Sequence, residues 1–295
     1  MKQNKCIFYT INSEVISPCL TSVNSFLSHN SGYDVKIFAY NFVTNFSKRI
    51  STLLSKLKEL HSDSNIEIIY KEAKNTVSSV GYFSRLQGII VEKFKLLKVL
   101  KEEYDLVIYS DPDVIFRKSV SDIESYVEKD PGLYAAEERA GIFESPWVKF
   151  VLRVLNKTKY FNCGFLVLNS EIHDYSEEIY KKVNKALGRY NFCPEQNYMI
   201  YDYDVKPLKN DHNYLWCNRL VNDPISVHYY NSIKPYKLKE YHSRPSPFGK
   251  RNDEKISFFF SDYFKNEIKW KHIQEFILIL LMYSIFHIWA LNFIF

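Results

Sequence analysis

Four short apolar runs punctuate the first 110 residues: Lys5–Thr10, Val35–Tyr40, Ile66–Tyr70 and Leu106–Tyr109 are rich in β-branched and aromatic side chains and bounded by polar segments. Runs of that length and composition predict strands. The segments between them are long enough for helices. Ser17-Pro18 supplies an N-cap and a first helical residue, and Leu20, Val23 and Leu27 follow at helical spacing. A second helix fits Phe83 to Leu100. Strand and helix in alternation imply βαβ units, hence an α/β fold with a mostly parallel central sheet flanked by helices, and place ligands at the carboxyl ends of the strands. Chemistry is therefore expected after Tyr9 and after Tyr109. From Gly132 to Tyr230 the pattern is mixed, with Tyr160–Asn169 the clearest strand. No Gly/Ser/Pro-rich linker or internal repeat divides the chain before about residue 240, so residues 1–240 are expected to be one domain.

A different pattern occupies the C-terminal end. Phe276–Phe295 carries no charge and only Ser284, His287 and Asn292 interrupt it; as a helix it would be about 30 Å long, the thickness of a bilayer core. Those polar residues and Gln274 share one side of the helix, so an interfacial helix or a helix-packing seam is also compatible, and the competing reading is a helix buried in a core or dimer contact. Ahead of it, Lys234 to Lys271 holds ten Lys or Arg against five Asp or Glu, a surplus equal to the +5 of the whole chain. A basic belt beside an apolar helix, with Trp270 between Lys269 and Lys271, suits an anionic membrane surface and not a nucleic-acid groove. The expected division is 1–240 domain, 241–272 basic linker and 273–295 membrane-associating helix.

Composition adds two constraints. At 46% apolar and 25% charged, the 295 residues are ordinary globular material. Five cysteines, odd in number and without paired spacing, favour buried thiols over a disulfide framework or a zinc site. Lys2 and Lys5 precede only the short stretch Ile7–Ile11, which is no secretory signal, so the expected location is the cytoplasm, peripheral to or tail-anchored on a membrane.

The chemistry-bearing segment is Ser110-Asp111-Pro112-Asp113. Carboxylates two apart in an extended stretch point the same way and can share a hard cation such as Mn²⁺ or Mg²⁺. An isolated Asp-x-Asp is more often a capped turn; its position at the end of a buried strand favours the metal. Tyr109-Ser110-Asp111-Pro112-Asp113-Val114 resembles the aspartate motif of GT-A glycosyltransferases, most closely family eight. Val227-His228-Tyr229-Tyr230-Asn231-Ser232-Ile233-Lys234-Pro235-Tyr236 resembles that family's His-x-x-Gly-x-x-Lys-Pro-Trp segment, with Asn231 in place of Gly and Tyr236 in place of Trp. Asn is among the few residues that adopt φ > 0 cheaply.

The resemblance implies a GT-A nucleotide-sugar-binding domain in which Asp111, Asp113 and His228 hold the metal and Lys234 grips the diphosphate. Tyr9, Thr10 and Asn12 match a nucleotide-binding Thr-x-Asn segment. Lys95, sixteen residues before Asp111, and Arg85 match cations directed at the donor. Asn162, in Phe161-Asn162-Cys163-Gly164, matches the strand that contacts donor sugar, and Glu195-Gln196 matches an Asp-Gln pair beside the anomeric carbon. The implied activity is transfer of a hexose from a UDP-sugar to a glycan or lipid-linked acceptor. Two other classes compete. An idle carbohydrate- or nucleotide-binding module would be expected to have lost part of the metal triad. A nucleotidyltransferase would want a Gly-rich basic loop after the first strand, and Thr10–Pro18 has neither Gly nor Lys.

Overall fold

The computed structural model describes residues 4–12, 15–40, 48–72, 87–138, 159–178, 196, 199, 203–209, 212–215 and 223–229. The chain forms a seven-stranded sheet covered on both faces, and a small three-stranded sheet beside it. In chain order the elements are β1 (Lys5–Ile11), α1 (Ile16–Leu27), β2 (Tyr33–Tyr40), α2 (Lys48–Leu60), β3 (Ile66–Lys71), α3 (Gln87–Lys101), β4 (Leu106–Ser110), β5 (Val114–Phe116), α4 (Ser121–Lys129), β6 (Leu133–Glu137), β7 (Phe161–Leu168), β8 (Val205–Pro207), β9 (Asn213–Leu215) and β10 (Ser226–His228).

The large sheet runs β3-β2-β1-β4-β7-β6-β8. Its first four strands are mutually parallel, β7 runs antiparallel between β4 and β6, and β8 lies parallel to β6. Alternation along β1 explains the layers. Ile7, Tyr9 and Ile11 point into a core shared with Leu20, Val23 and Phe26 of α1 and Leu53 and Leu57 of α2. Cys6 and Phe8 point the other way, to Phe94, Leu97 and Leu100 of α3. Every residue of β7 is buried, as a strand covered on both faces requires.

The sequence places β1, β2, β3, β4 and β7 within a residue or two of where they lie. It misplaces the start of α1. The helix begins at Ile16, not after a Ser17 cap, and no side chain caps it; Pro18 sits in the first turn, where its missing N–H costs nothing. α3 is described from Gln87, so the start expected at Phe83 lies outside the described residues. So do the basic linker and the C-terminal apolar run. Among the described residues no helix is long and apolar enough to cross a membrane.

The strand order fixes where a ligand can bind. From β1 the chain steps outward to β2 and β3, then returns through α3 to β4 on the other side of β1. The carboxyl ends of β1 and β4 therefore flank a topological switch point, the crevice where open α/β sheets bind ligands.

Candidate metal and donor site

Asp111 follows β4 directly, and its N–H donates to the Gly164 carbonyl at 2.7 Å, extending the β4–β7 ladder by one residue. The two aspartates do not converge by strand alternation, as the sequence suggests. Residues 111–114 instead form a turn in which the Val114 N–H donates to the Asp111 carbonyl at 3.2 Å, with Pro112 in the second position, where its fixed φ suits a type I or II turn. The turn folds the Asp113 carboxylate back toward Asp111.

His228 arrives from the other end of the described chain. β5 pairs antiparallel with β10, setting His228 opposite Val114, and the Tyr229 N–H donates to the Asp113 carbonyl at 3.0 Å. The far edge of β5 is tied to α1: Ser22 Oγ donates to the Val114 carbonyl at 2.5 Å, and the Phe116 N–H donates to Ser25 Oγ at 3.0 Å. Small polar residues on an otherwise buried helix thus satisfy the β5 backbone and fix its place.

The result is a compact cluster. His228 Nε2 lies 3.3 Å from Asp113 Oδ1 and 3.6 Å from Asp111 Oδ2, and one ligand atom from each of the three residues falls within 4.8 Å of the others. Asp113 and His228 are buried and Asp111 is half-buried. Gly164 forms the floor. A Cβ there would stand 2.1 Å from His228 Cε1 and 2.5 Å from Asp111 Oδ2, so only glycine leaves the cluster its space. Two carboxylates and an imidazole are a fitting donor set for Mn²⁺ or Mg²⁺, and a divalent charge would offset both carboxylates.

Around the cluster the remaining expectations divide. Asn162 belongs to the site's wall: its Oδ1 accepts the Gly164 N–H at 2.9 Å and its Nδ2 donates to Glu138 Oε2 at 3.2 Å. Thr10 reaches Asp111 through Tyr109, whose hydroxyl lies 3.2 Å from Thr10 Oγ1 and donates to Asp111 Oδ1 at 2.5 Å. Burial first, and then the charge of Asp111, holds that phenol protonated well above its ordinary range. Asn12 follows the end of β1, half-buried. Gln196 is buried, and among the described residues its Oε1 has no hydrogen-bond partner. Arg85, Glu195, Asn231 and Lys234 lie outside the described residues.

Tyr9 and Lys95 sit apart from this group. The ring of Tyr9 lies in the core under α1, fully buried, with its hydroxyl 3.2 Å from Ser22 Oγ, so its side chain is not part of a ligand surface. Lys95 is exposed on α3. The lysine that enters the site is Lys93, only 2% exposed. Its ammonium donates to the Cys163 carbonyl at 2.9 Å and stands over the Tyr109 ring, 4.9 Å from its centroid. Helical phase could have found it, because Ile89, Lys93, Leu97 and Leu100 form one buried stripe and Lys95 falls off it. Glu138, on Asn162, is a further member of the wall for which the sequence offers no signal. Cys6, Cys19 and Cys163 are buried thiols outside any disulfide among the described residues, and burial pushes the Cys6 and Cys19 thiols far up, which keeps them protonated.

Comparison with known proteins agrees with this geometry. Residues 6–240 match the family described as glycosyl transferase family 8. No curated protein sequence matches the chain. Among solved structures, the galactosyltransferase LgtC in complex with donor and acceptor sugar analogues is similar with a TM-score of 0.62 at 13% identity, over 90% of this chain and 99% of that one. The bifunctional glycosyltransferase WbbM is similar with a TM-score of 0.59 at 14% identity, over 88% of this chain and 52% of that one. GlyE of Streptococcus pneumoniae TIGR4 is similar with a TM-score of 0.54 at 14% identity, over 90% of this chain and 63% of that one. At such identities these likenesses establish a shared GT-A fold, while the family match spans most of the sequence. The chain belongs to glycosyl transferase family 8.

Proposed function

We propose that this glycosyltransferase is metal-dependent and transfers a hexose, glucose or galactose, from a UDP-sugar to a glycan or lipid-linked acceptor with retention of configuration. The observation that carries the reading is the Asp111–Asp113–His228 cluster, packed on Gly164 at the switch point of the sheet. Bound there, Mn²⁺ or Mg²⁺ would supply positive charge against the diphosphate of the donor.

The residues take the following roles. Lys234 grips the diphosphate and grows in importance as the leaving group gathers charge. Thr10 and Asn12, at the end of β1, face the nucleotide. Asn162 contacts the donor sugar from β7. Gln196 orients that sugar and supports positive charge at the anomeric carbon, with Glu195 beside it; its unpartnered, buried Oε1 is the state expected of a side chain waiting for a ligand. Retention without a carboxylate nucleophile calls for a same-face path in which a phosphate oxygen of the leaving group takes the acceptor's proton. Galactose is favoured by the likeness to LgtC, a galactosyltransferase, and a role for Gln196 by the structure of an LgtC active-site mutant in which a Gln is replaced by Glu.

Incubation with a panel of nucleotide sugars, with Mn²⁺ or with EDTA, followed by mass spectrometry of the products, tests the reading. Release of UDP from UDP-glucose or UDP-galactose is expected only with the metal present. Donor binding without release from any sugar would turn the chain into a binding module. An inverted linkage by NMR would remove retention and leave the metal centre untouched. We further propose that residues 273–295 with the basic belt hold the enzyme on the cytoplasmic face of a membrane, a reading supported by their sequence pattern.

A further inference from the structure

We propose that Tyr109 is the positioning residue of the metal centre: its hydroxyl takes up Oδ1 of Asp111, so that Asp111 meets the cation through Oδ2 alone. The proposal rests on the metal-dependent reading above. Asp111 is held at two points and faces the cluster with its remaining oxygen. Its N–H is fixed on the Gly164 carbonyl, its Oδ1 accepts the Tyr109 hydroxyl at 2.5 Å, and its Oδ2 faces His228 Nε2 at 3.6 Å.

The direction of the hydrogen bonds follows from the groups. An ionised carboxylate only accepts, so the single proton of Tyr109 goes to Asp111, and Thr10 Oγ1, 3.2 Å from the same phenol oxygen, donates to it. The chain Thr10–Tyr109–Asp111 thus commits both hydroxyl protons toward Oδ1.

Tyr109 itself cannot swing away. Its ring is 2% exposed, lies 5.1 Å centroid to centroid from Phe8, and carries the Lys93 ammonium on its face. A carboxylate free to rotate could offer a cation both oxygens; one pinned through Oδ1 offers a single oxygen on a fixed bearing. Outer partners of this kind set the orientation of a ligand and commonly change metal affinity by about 10–100-fold when removed.

The test is Mn²⁺ affinity of the full chain, read from the loss of the free-ion electron paramagnetic resonance signal, with no donor present. Tyr109→Phe should weaken Mn²⁺ binding by roughly 10–100-fold. Tyr33→Phe is the matched control. It removes an equally buried hydroxyl at the amino end of β2, where it donates to Glu124, and should leave the affinity unchanged. Wild-type affinity in Tyr109→Phe, with binding lost in Asp111→Ala, would overturn the positioning role and keep the metal centre. Wild-type affinity in Asp111→Ala would sink both.

A second measurement needs no variant at Tyr109 to fold. The infrared difference spectrum of the native protein with and without Mn²⁺ should show the Asp111 carboxylate bands, identified by their loss in Asp111→Ala, split as for one-oxygen coordination. Bands of symmetric two-oxygen coordination would overturn the proposal.

Discussion

The α-carbon of Gly164 lies so close to the His228 ring that a Cβ added to it would stand 2.1 Å from Cε1 and 2.8 Å from Nε2. The strand and His228 are in contact with nothing between them. Gly164→Ala must therefore displace His228, Asp111, or both. Overpacking of this kind costs about 1–3 kcal/mol, which a core of this size can bear, while a displacement of ligand atoms by even part of an ångström undoes their convergence. The expected outcome is a folded protein with native circular dichroism and at least a tenfold loss of Mn²⁺ affinity by titration calorimetry. Native affinity would mean that the three ligands do not meet over β7.

Removing a ligand is the more direct experiment. Asp113→Asn preserves shape and the backbone bond from Tyr229 to the Asp113 carbonyl, so the fold should survive. His228→Ala empties a buried site but leaves the pairing of β10 with β5 intact. Each should lower metal-dependent donor hydrolysis and transfer by on the order of a hundredfold or more, the rate equivalent of several kcal/mol of lost charge stabilisation. EDTA-stripped protein with Mn²⁺ added back, assayed for UDP release, decides the matter. Turnover like the wild type in either variant would remove these residues from the metal centre.

Two lysines on one helix separate a buried contact from a solvated one. Lys93 donates to the Cys163 carbonyl between Asn162 and Gly164, whereas Lys95 is exposed. Loss of a charge-assisted hydrogen bond in a buried setting costs about 1.5–3 kcal/mol, and exposed substitutions usually stay within about 0.5 kcal/mol. Lys93→Met should lower the melting temperature and impair transfer, and Lys95→Met should do neither. The opposite pattern in thermal melts and UDP release would put the wrong face of α3 against the sheet.

What the sequence made legible, and what it hid, follows from the length and period of each element. β4 and β7 are buried along their whole length and β1 from Cys6 on, because both faces are covered, and such runs stand out against their polar flanks; β2, where Asp34 and Lys36 alternate with buried residues, still reads as a strand by its β-branched and aromatic side chains. β5, β9 and β10 have three residues each, too few to show any period, so the small sheet that carries His228 to Asp113 was invisible as structure. His228 stands out only through the resemblance of its segment, with Lys234 and Pro235, to the family motif. The same resemblance points to Lys95, sixteen residues before Asp111, while phase along α3 buries Lys93. Asp111 and Asp113 do meet, but through a turn at Pro112 where the sequence suggests an extended segment. Gly164 carried a usable signal, a lone glycine in a fully buried strand, which marks close approach of something to the backbone.

The last prediction concerns the C-terminal segment, which lies outside the described residues. Phe276–Phe295 supplies apolar area for an interface or a span, and the belt from Lys234 to Lys271 supplies attraction to anionic lipid worth ~1 kcal/mol per basic residue near the surface. Truncation after Lys271 removes the first contribution and leaves Asp111, Asp113, His228 and Lys234 in place. The shortened protein should be soluble, retain transfer to a small soluble acceptor and lose efficiency toward an acceptor embedded in a bilayer. Charge reversal within the belt distinguishes two geometries. A helix lying in the interface should lose binding in a salt-dependent manner, because screening acts over about 10 Å at 0.1 M salt, while a spanning helix should hardly respond. Flotation with anionic liposomes at low and high salt reads both effects. Full-length protein that stays in solution without detergent and fails to float, together with a truncated form that does not fold, would make the segment a core or oligomer helix and end the membrane reading.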